Sequence, residues 1–389
     1  MTAPEDSIAP APGAGFTVEV MGSAIAIDLS PTVSVDVAEE LHHQWQAALT
    51  ERAPAARVWC SADPAEPLPG DATAFARSAD VEELAGLLCD SVIGVATTEL
   101  VPVEHRHEQL SQLPDLVGVR AGAVVVDGRA VLLAGRSRLD DELQALAGFA
   151  DHLADRAVAV RIGDGQVIGA PTPVVRLAGG ISRGRRVAAP GALGLRTVTG
   201  PVPLGAIAII DHTEGESGWE PVPVPVAVAQ LTPLVPVLPA LPHPVQELAR
   251  LVGLAGGGIA IRYRDAAELP GLLAEVLAHD LEQPLTIPAE PGPGDTRAPQ
   301  LGDVRRATLV DGISDGATLA LCRQDRKVIA LAGLGPLLWD AAREWISVDD
   351  LLDQVVAAVE APGQEDEVRM AADAALDALV AQEVLTRLE

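Results

Sequence analysis

The sequence has few aromatic residues and few cysteines, and each shortage narrows the range of functions. Phe, Trp and Tyr together make up 2% of the 389 residues, so aromatic platforms for stacking nucleic-acid bases are not expected. The three cysteines, Cys60, Cys89 and Cys322, stand singly without a Cys-x-x-Cys pair, which predicts a reduced, cytoplasmic protein without a metal site. No apolar run reaches the roughly 20 residues of a membrane helix, and we expect a soluble protein with no membrane partner.

Basic residues are scarce relative to acidic ones. Asp and Glu number 55 against 27 Lys and Arg, which gives a formal net charge of -28 at pH 7. A surface this negative repels polyphosphate backbones and anionic lipids, so we expect no nucleic-acid partner. A GC-rich or salt-tolerant source would produce the same bias without any functional cause. The hydrophobic fraction of 48% predicts a sizeable aliphatic core.

Composition shifts divide the chain into four predicted parts. Residues 1–15 are rich in Pro and Ala and lack the basic and apolar regions of a signal peptide, which predicts a disordered tail. Alternating strand and helix patterns over 16–285 predict an α/β (α+β) domain with a mixed sheet. Clustered Pro and Gly over 286–302 predict a linker. Three short strands followed by three helices over 303–389 predict a separate small domain.

Two segments of the larger domain have a pattern that favours one secondary structure. Residues 140–153, "DDELQALAGFADHL", carry apolar residues at helical spacing and are predicted as a single helix. The Pro/Val alternation that follows the strand "GAIAIIDH" removes ladder donors. It therefore predicts an extended edge or a polyproline II segment up to residue 244.

The stretch after the strand "AVLLAG" lies where a phosphate-binding loop would begin. Such a loop needs glycines that turn backbone N–H groups to the phosphates, a lysine for their charge and a hydroxyl for Mg²⁺. This chain instead has Gly135, Arg136, Ser137, Arg138, Leu139, Asp140, Asp141 and Glu142. Carboxylates thus stand where phosphates would lie, and we predict no catalytic residue and no cofactor at this loop.

Two runs around this loop, "GVRAGAVVVDGRAVLLAGRS" and "ADRAVAVRIGDGQVIGAPTPVVRL", resemble the C-terminal domain of the HPr serine kinases. The resemblance is close over these runs and looser over 16–281. Carried over position by position, the family's histidine, loop lysine and later acidic pair fall on Arg120, on Asp140 or Asp141, and on Asp155 and Arg156. The resemblance implies a degenerate HPr-kinase-like mixed-sheet domain.

Two interpretations of the degenerate loop stay open at this point. In the first, Arg136, Arg138 and Asp155 form a remodelled phosphate site of a divergent peptide kinase or transferase. In the second, Ser137 is an N-cap and the acidic residues after it favour the first turn of a helix. The second interpretation makes the domain a pseudoenzyme.

The C-terminal segment carries a second resemblance. Its runs "DGATLALCRQDRKVIALAGLGPLLWDAAREWISVDDLLDQVVAAV" and "DALVAQEVLTRLE" resemble the PqqD-like domains, the recognition elements for ribosomally made, post-translationally modified peptides (RiPPs). The resemblance implies a winged helix-turn-helix domain with an open edge strand, to which a leader peptide adds as a further strand. It also places Trp339 on the first helix and Ser347 at the start of the second.

The implied peptide-binding residues lie on two elements. The edge strand would contribute Lys327, Val328, Ile329, Ala330 and Leu331, and the facing helix Val368, Arg369, Ala372, Ala375 and Leu376. The alternative is that the helical spacing of Val368, Ala375 and Leu379 reflects a plain core face.

Two further groups of polar residues are candidates for acid–base chemistry. His105 and His107 share one face of an extended segment, although no third metal ligand follows them. A glycine-containing loop after a predicted strand holds Asp211, His212, Glu214 and Glu216. Both groups are equally consistent with solvated surface residues.

Together these patterns and resemblances predict a non-catalytic recognition protein of RiPP biosynthesis. It would bind the leader peptide of a precursor and present it to modifying enzymes, for example an oxidoreductase or an aminotransferase of a daptide-type or related pathway. The alternatives are the divergent kinase and a module without a peptide ligand, whose edge strand is covered by the chain's own Pro-rich segment.

Overall fold

The computed structural model describes residues 15–99, 116–135, 139–169, 171–177, 185–279, 286–289, 298–359 and 363–388. Over these residues the chain is a mixed α/β structure, as predicted, with strands and helices interleaved along the sequence. Among the described helices, none combines the length and hydrophobicity needed to cross a bilayer. The predicted tail, residues 1–14 of it, lies outside the described residues.

The first unit is a four-stranded sheet in the order β1-β2-β3-β4. Its strands and the helices that follow β2 and β4 are β1 (Phe16–Val20), β2 (Ser23–Leu29), α1 (Val35–Gln44), β3 (Ala56–Ser61), β4 (Ala74–Arg77) and α2 (Val81–Glu99). β1 and β2 form an antiparallel hairpin, whereas β2, β3 and β4 run parallel. Helix α2 packs across this sheet.

The second unit is built on a nine-stranded sheet in the order β5-β9-β10-β13-β7-β6-β8, with β15 beside β13 and β14 beside β15. These strands are β5 (Leu116–Val119), β6 (Gly122–Val126), β7 (Arg129–Gly135), β8 (Asp151–Ala154), β9 (Val158–Arg161), β10 (Gln166–Ile168), β13 (Pro201–His212), β14 (Gly218–Val222) and β15 (Gly258–Tyr263). A separate hairpin joins β11 (Val174–Leu177) and β12 (Arg185–Ala188). Three central strands, β7, β13 and β15, are parallel, so their carboxyl ends share one edge of the sheet.

Helices cover both faces of the nine-stranded sheet. They are α3 (Asp140–Ala145), α4 (Val224–Leu231), α5 (Pro244–Leu254) and α6 (Leu269–Leu277). Side chains alternate between the two faces along β7. Leu132 packs in the core cluster that contains α4 and α5, and Leu133 packs in the cluster that contains α3 and α6. The strands are buried on both faces, which explains their continuous apolar runs.

The third unit has the three predicted helices after a group of strands, but it has more than the three predicted strands and one of them follows the helices. Its elements are β16 (Ile287–Pro288), β17 (Val304–Arg306), β18 (Leu309–Ser314), β19 (Leu319–Arg323), β20 (Val328–Leu331), α7 (Leu334–Ala341), α8 (Val348–Ala358), α9 (Glu365–Ala381) and β21 (Leu385–Arg387). Ser347 caps α8 as predicted, because its side chain accepts the N–H of Asp350. Trp339 is fully enclosed in the core between sheet and helices.

Two secondary-structure predictions were wrong. The helix predicted over 140–153 ends at Ala145, because Gly148 takes a positive φ of 83° and the next residues pair with β6 as strand β8. The Pro/Val segment is extended only as far as Val222, in the edge strand β14, and then forms helix α4 instead of further extended chain. Pro223 precedes α4 and Pro225 lies in its first turn, where a missing N–H costs nothing.

The third unit packs tightly on the second. Ile313, Ala320 and Cys322 belong to the same core cluster as α4 and α5, so the sheet of the third unit is buried on both faces. Part of the predicted linker also joins this unit, since β16 pairs with β18. One face of the sheet within residues 303–388 is therefore covered by the second unit and not by solvent.

Candidate functional site

The degenerate loop leads to a small cavity of about 210 Å³, named here the Asp155 cavity. Its lining includes Arg120, Gly135, Leu139, Asp155 and Arg156. Gly135 is the last residue of β7, Arg120 lies between β5 and β6, and Asp155 directly follows β8. The structure thus brings Arg120, Gly135, Asp155 and Arg156 together at one cavity.

Asp155 is held in this cavity by two neighbouring side chains. The hydroxyl of Thr172 donates to its Oδ1 at 3.0 Å, and the Nε atom of Arg156 lies 3.4 Å from its Oδ2. The side chain is 5% exposed, and this burial raises the pKa of Asp155 to about 6. Asp155 therefore takes up a proton at a higher pH than an exposed aspartate does.

Arg156 faces both Asp155 and Asp90, to which its Nη1 atom donates. Its Nη2 atom is buried and has no hydrogen-bond partner among the described residues. Arg120 is exposed and forms no ion pair within the described part of the chain. The cavity therefore offers cationic N–H groups beside a carboxyl group.

Leu139 occupies the space in front of strand β6. Its Cδ1 atom lies against Gly122, where a Cβ atom would collide with it, and the side chain is buried. Sequence reasoning missed this contact. A lone glycine inside a strand pattern was the available signal, because it often marks a close approach by another group.

The other loop residues are placed as follows. Asp140 and Asp141 open helix α3, and Asp141 lines a different cavity from Asp155. Arg136, Ser137 and Arg138 lie outside the described residues, so the predicted arginine pair stays a prediction. The predicted N-cap at Ser137 was wrong, because Leu139 holds the N-cap position of α3 and no side chain caps this helix.

A second cavity, of about 560 Å³, lies on the α3 face of the sheet and is lined by Glu142, His212 and Tyr263. The hydroxyl of Tyr263 donates to Glu142. Burial and then the Glu142 carboxylate raise the pKa of Tyr263. His212 Nε2 lies 3.0 Å from the carbonyl oxygen of Arg264. Glu142, His212 and Tyr263 are therefore engaged in contacts within the protein.

The loop predicted to carry acid–base residues does not gather them at one point. Asp211 lines a cavity on the α4 face, whereas His212 lines the cavity on the α3 face, because adjacent strand residues alternate. Glu214 and Glu216 are exposed. His105 and His107 lie outside the described residues. Within the part of the chain that is described, no group of three or more His, Cys, Asp or Glu side chains is arranged to hold a metal ion.

Strand β20 is the edge of its sheet, because it pairs with β19 alone among the described strands. The N–H of Arg323 donates to the carbonyl of Lys327 across the turn, and bonded and non-bonded pairs alternate along an antiparallel ladder. The pairs Cys322–Val328 and Ala320–Ala330 are therefore the non-bonded ones. Their N–H and C=O groups on β20 point to the free edge.

The side chains of the predicted edge segment divide between two layers. Ile329 and Leu331 pack on the core beneath α7, α8 and α9, and Val328 packs against the cluster that contains α4. Lys327 is exposed, and Val328, Ile329 and Ala330 are half-buried. Helix α4, which comes from the Pro-rich segment, lies on the face of β19 and β20, and within the described chain no segment pairs with the free edge.

The residues predicted on the facing helix differ in accessibility. Ala372 and Leu376 are fully buried in the core, so they have no surface to offer a peptide. Arg369 pairs with Asp349 and Asp353 of α8. Val368 and Ala375 are half-buried, so they retain some accessible surface.

Comparisons with known proteins give little guidance. No protein-family model matches the chain, and no curated protein matches it. Among solved structures, the HPr(Ser) kinase/phosphatase from Coxiella burnetii matches at 16% identity over 41% of this chain and 87% of that chain, with a TM-score of 0.25. A similarity at this level carries no argument about function.

Proposed function

We propose that this chain is a non-catalytic peptide-recognition protein that binds the leader peptide of a RiPP precursor by strand addition to β20. The observation that carries the proposal is the free edge of β20, where Val328 and Ala330 direct their main-chain groups away from β19. Main-chain bonds along such an edge provide affinity, and the alternating side chains of the added strand provide specificity. The resemblance of the third unit to PqqD-like winged helix-turn-helix domains agrees with this mode of binding.

The proposed mechanism is proximity. A leader held on β20 keeps the rest of the precursor close to a partner enzyme, which raises its effective concentration at that enzyme's active site. The second unit would then act as a scaffold. Two features support a scaffold: the loop after Gly135 has carboxylates at the lysine position, and Leu139 fills space beside Gly122.

The test measures binding of fluorescein-labelled leader peptides, encoded beside the gene, to the full chain by fluorescence polarisation. The full chain is required because an isolated third unit would expose the apolar face that carries Ile313, Ala320 and Cys322. Val328→Pro removes an N–H group that is not used inside the sheet, and Val328→Thr retains that group with a side chain of similar shape.

Saturable binding that is lost in Val328→Pro and kept in Val328→Thr is the expected result. Equal binding by both variants would overturn strand addition at this edge. Absence of binding to every neighbouring leader, with the chain shown to be folded by circular dichroism, would overturn the proposed function.

The second candidate is a divergent peptide kinase or transferase. It is favoured by the Asp155 cavity, where Arg120, Asp155 and the buried Nη2 of Arg156 converge. A ligand at about 100 times its Kd adds about 2.7 kcal/mol to folding stability. Mg²⁺-ATP should therefore raise the melting temperature if this candidate is right, and should leave it unchanged if the chain is the proposed scaffold.

A further inference from the structure

A cavity of about 630 Å³, named here the α4 cavity, lies between helix α4 and the carboxyl ends of β7 and β13. Its lining is mostly apolar, with Asp211 and Gln230 as polar groups, and consists of Ala134, Gly135, Ile209, Ile210, Asp211, Ala229, Gln230, Pro233 and Leu234. Ligands of open α/β sheets bind at the carboxyl ends of parallel strands. The cavity is therefore in a position suited to binding, on the opposite face of β7 from the Asp155 cavity.

Its polar end is negative. Alternation along β13 places Ile209 in the cluster with α4 and Ile210 in the cluster with α3, so the side chain of Asp211 lies on the α4 face. Asp211 is exposed, and it forms no ion pair with any arginine or lysine of the described residues. An apolar pocket with an exposed carboxylate at its mouth complements an apolar side chain next to a basic one.

Helix α4 connects this cavity to the proposed peptide edge. One side of α4 packs against β19 and β20, and Ala229 and Gln230 near its end line the cavity. A helix is about 10 Å across, and an extended chain advances about 3.3 Å per residue. A peptide that leaves the β20 edge can therefore pass α4 within about three or four residues.

We infer that the α4 cavity binds a second segment of the peptide that adds to β20, with an apolar side chain against Ile209 and Leu234 and a neighbouring Lys or Arg paired with Asp211. The inference rests on the proposed function and names a specificity element for it. The β20 edge binds the main chain of the added strand, and the α4 cavity adds selection of side chains outside that strand. The net charge of -28 favours the same basic partner.

The probes are 20-residue peptides selected from a displayed random library on the immobilised full chain and retained only if Val328→Pro abolishes their binding. Ala229→Trp fills the cavity, and Asp211→Asn removes its charge without changing its shape. Ala374→Trp and Asp373→Asn on the exposed face of α9 are the matched controls. Circular dichroism and melting temperature verify that each variant is folded.

We expect the selected peptides to share an apolar–basic pair and to bind at least tenfold more weakly to Ala229→Trp and about fivefold more weakly to Asp211→Asn. Replacing the basic residue of the peptide by Met should weaken binding to the native chain and cause no further loss in Asp211→Asn, as a double-mutant cycle for a direct contact requires. A truncated peptide without the pair should bind all four variants equally.

The outcomes separate the inference from the proposed function. If Val328→Pro abolishes binding but the two cavity variants behave like their α9 controls, strand addition stands and the α4 cavity is not a peptide subsite. If no library member depends on Val328, the proposed function fails, and the inference fails with it.

Discussion

The carboxylate of Asp311 accepts a hydrogen bond of 3.1 Å from the backbone N–H of Gln246 and a second, of 3.4 Å, from that of Val245. Both donors lie in the first turn of α5, whose preceding residue, His243, provides no side-chain cap. Asp311, on β18 of the third unit, therefore accepts hydrogen bonds from the backbone N–H groups at the start of α5 in the second unit. Arg326 adds a 2.8 Å bond to the carbonyl of Leu241 in the same region.

Asp311→Ala is expected to destabilise the protein by about 2 kcal/mol, because it leaves two buried N–H groups without an acceptor and removes a negative charge from a helix N-terminus. Urea unfolding measures the loss. Asp373→Ala, on the exposed face of α9, is the control and should change stability by less than about 0.5 kcal/mol. Equal effects of the two substitutions would show that Asp311 does not join the units.

The sequence predicted the elements whose signals are local. Helices α7, α8 and α9 follow from their apolar spacing, and the Ser347 cap follows from the residue type at the start of α8. The edge segment predicted over residues 327–331 is strand β20 from Val328 onwards, because a short β-rich run between polar turns is a strand signal.

The elements that were missed depend on contacts distant in sequence. Strand β8 forms because β6 supplies a partner, which overrides the helical spacing of its residues. Helix α4 forms because its prolines fall in the first turn and its valines are buried on the sheet. The bond from Gln246 to Asp311 joins residues 65 positions apart, and no local pattern indicates it.

Part of the candidate site was predictable for a different reason. The resemblance placed Arg120 and Asp155 at corresponding positions of a known site, and the structure brings them to one cavity. The apolar filling by Leu139 was not predictable, because it depends on the distance between the start of α3 and strand β6.

Stability should depend on pH through Asp155. Burial raises its pKa from 3.8 to about 6 in the folded state, so its stabilising contribution is complete below pH 3.8 and is lost as pH rises through about 6. The difference between the two pKa values corresponds to about 3 kcal/mol of folding stability. Asp155→Asn mimics the protonated form, and its stability relative to the native protein should be higher at pH 7.5 than at pH 4. Urea unfolding at the two pH values measures this, and a pH-independent difference would contradict it.

His152 should act in the opposite direction. It is fully buried, neither ring nitrogen has a hydrogen-bond partner among the described residues, and burial lowers its pKa from 6.5 to about 4. The contribution of neutral His152 to folding stability is complete above pH 6.5, and about 3 kcal/mol of it is lost as pH falls towards 4. His152→Phe keeps a planar ring without a titrating group, so it should gain stability relative to the native protein between pH 7.5 and 4.5. If the stability of His152→Phe falls over this pH interval as much as that of the native protein, His152 is not the cause.

The position of α4, which forms one wall of the α4 cavity, depends on the absence of a side chain at Gly258. A Cβ atom at this position would lie 2.7 Å from the Cβ of Ala227 on α4, closer than packed carbon atoms approach. Gly258→Ala should therefore displace the helix, destabilise the protein by about 1–3 kcal/mol and weaken peptide binding at β20. Ala227→Gly in the same chain removes the collision, at a helix cost of about 1 kcal/mol, and should restore peptide affinity. If the double variant binds peptide no better than Gly258→Ala alone, the packing of α4 on β15 does not control the peptide site.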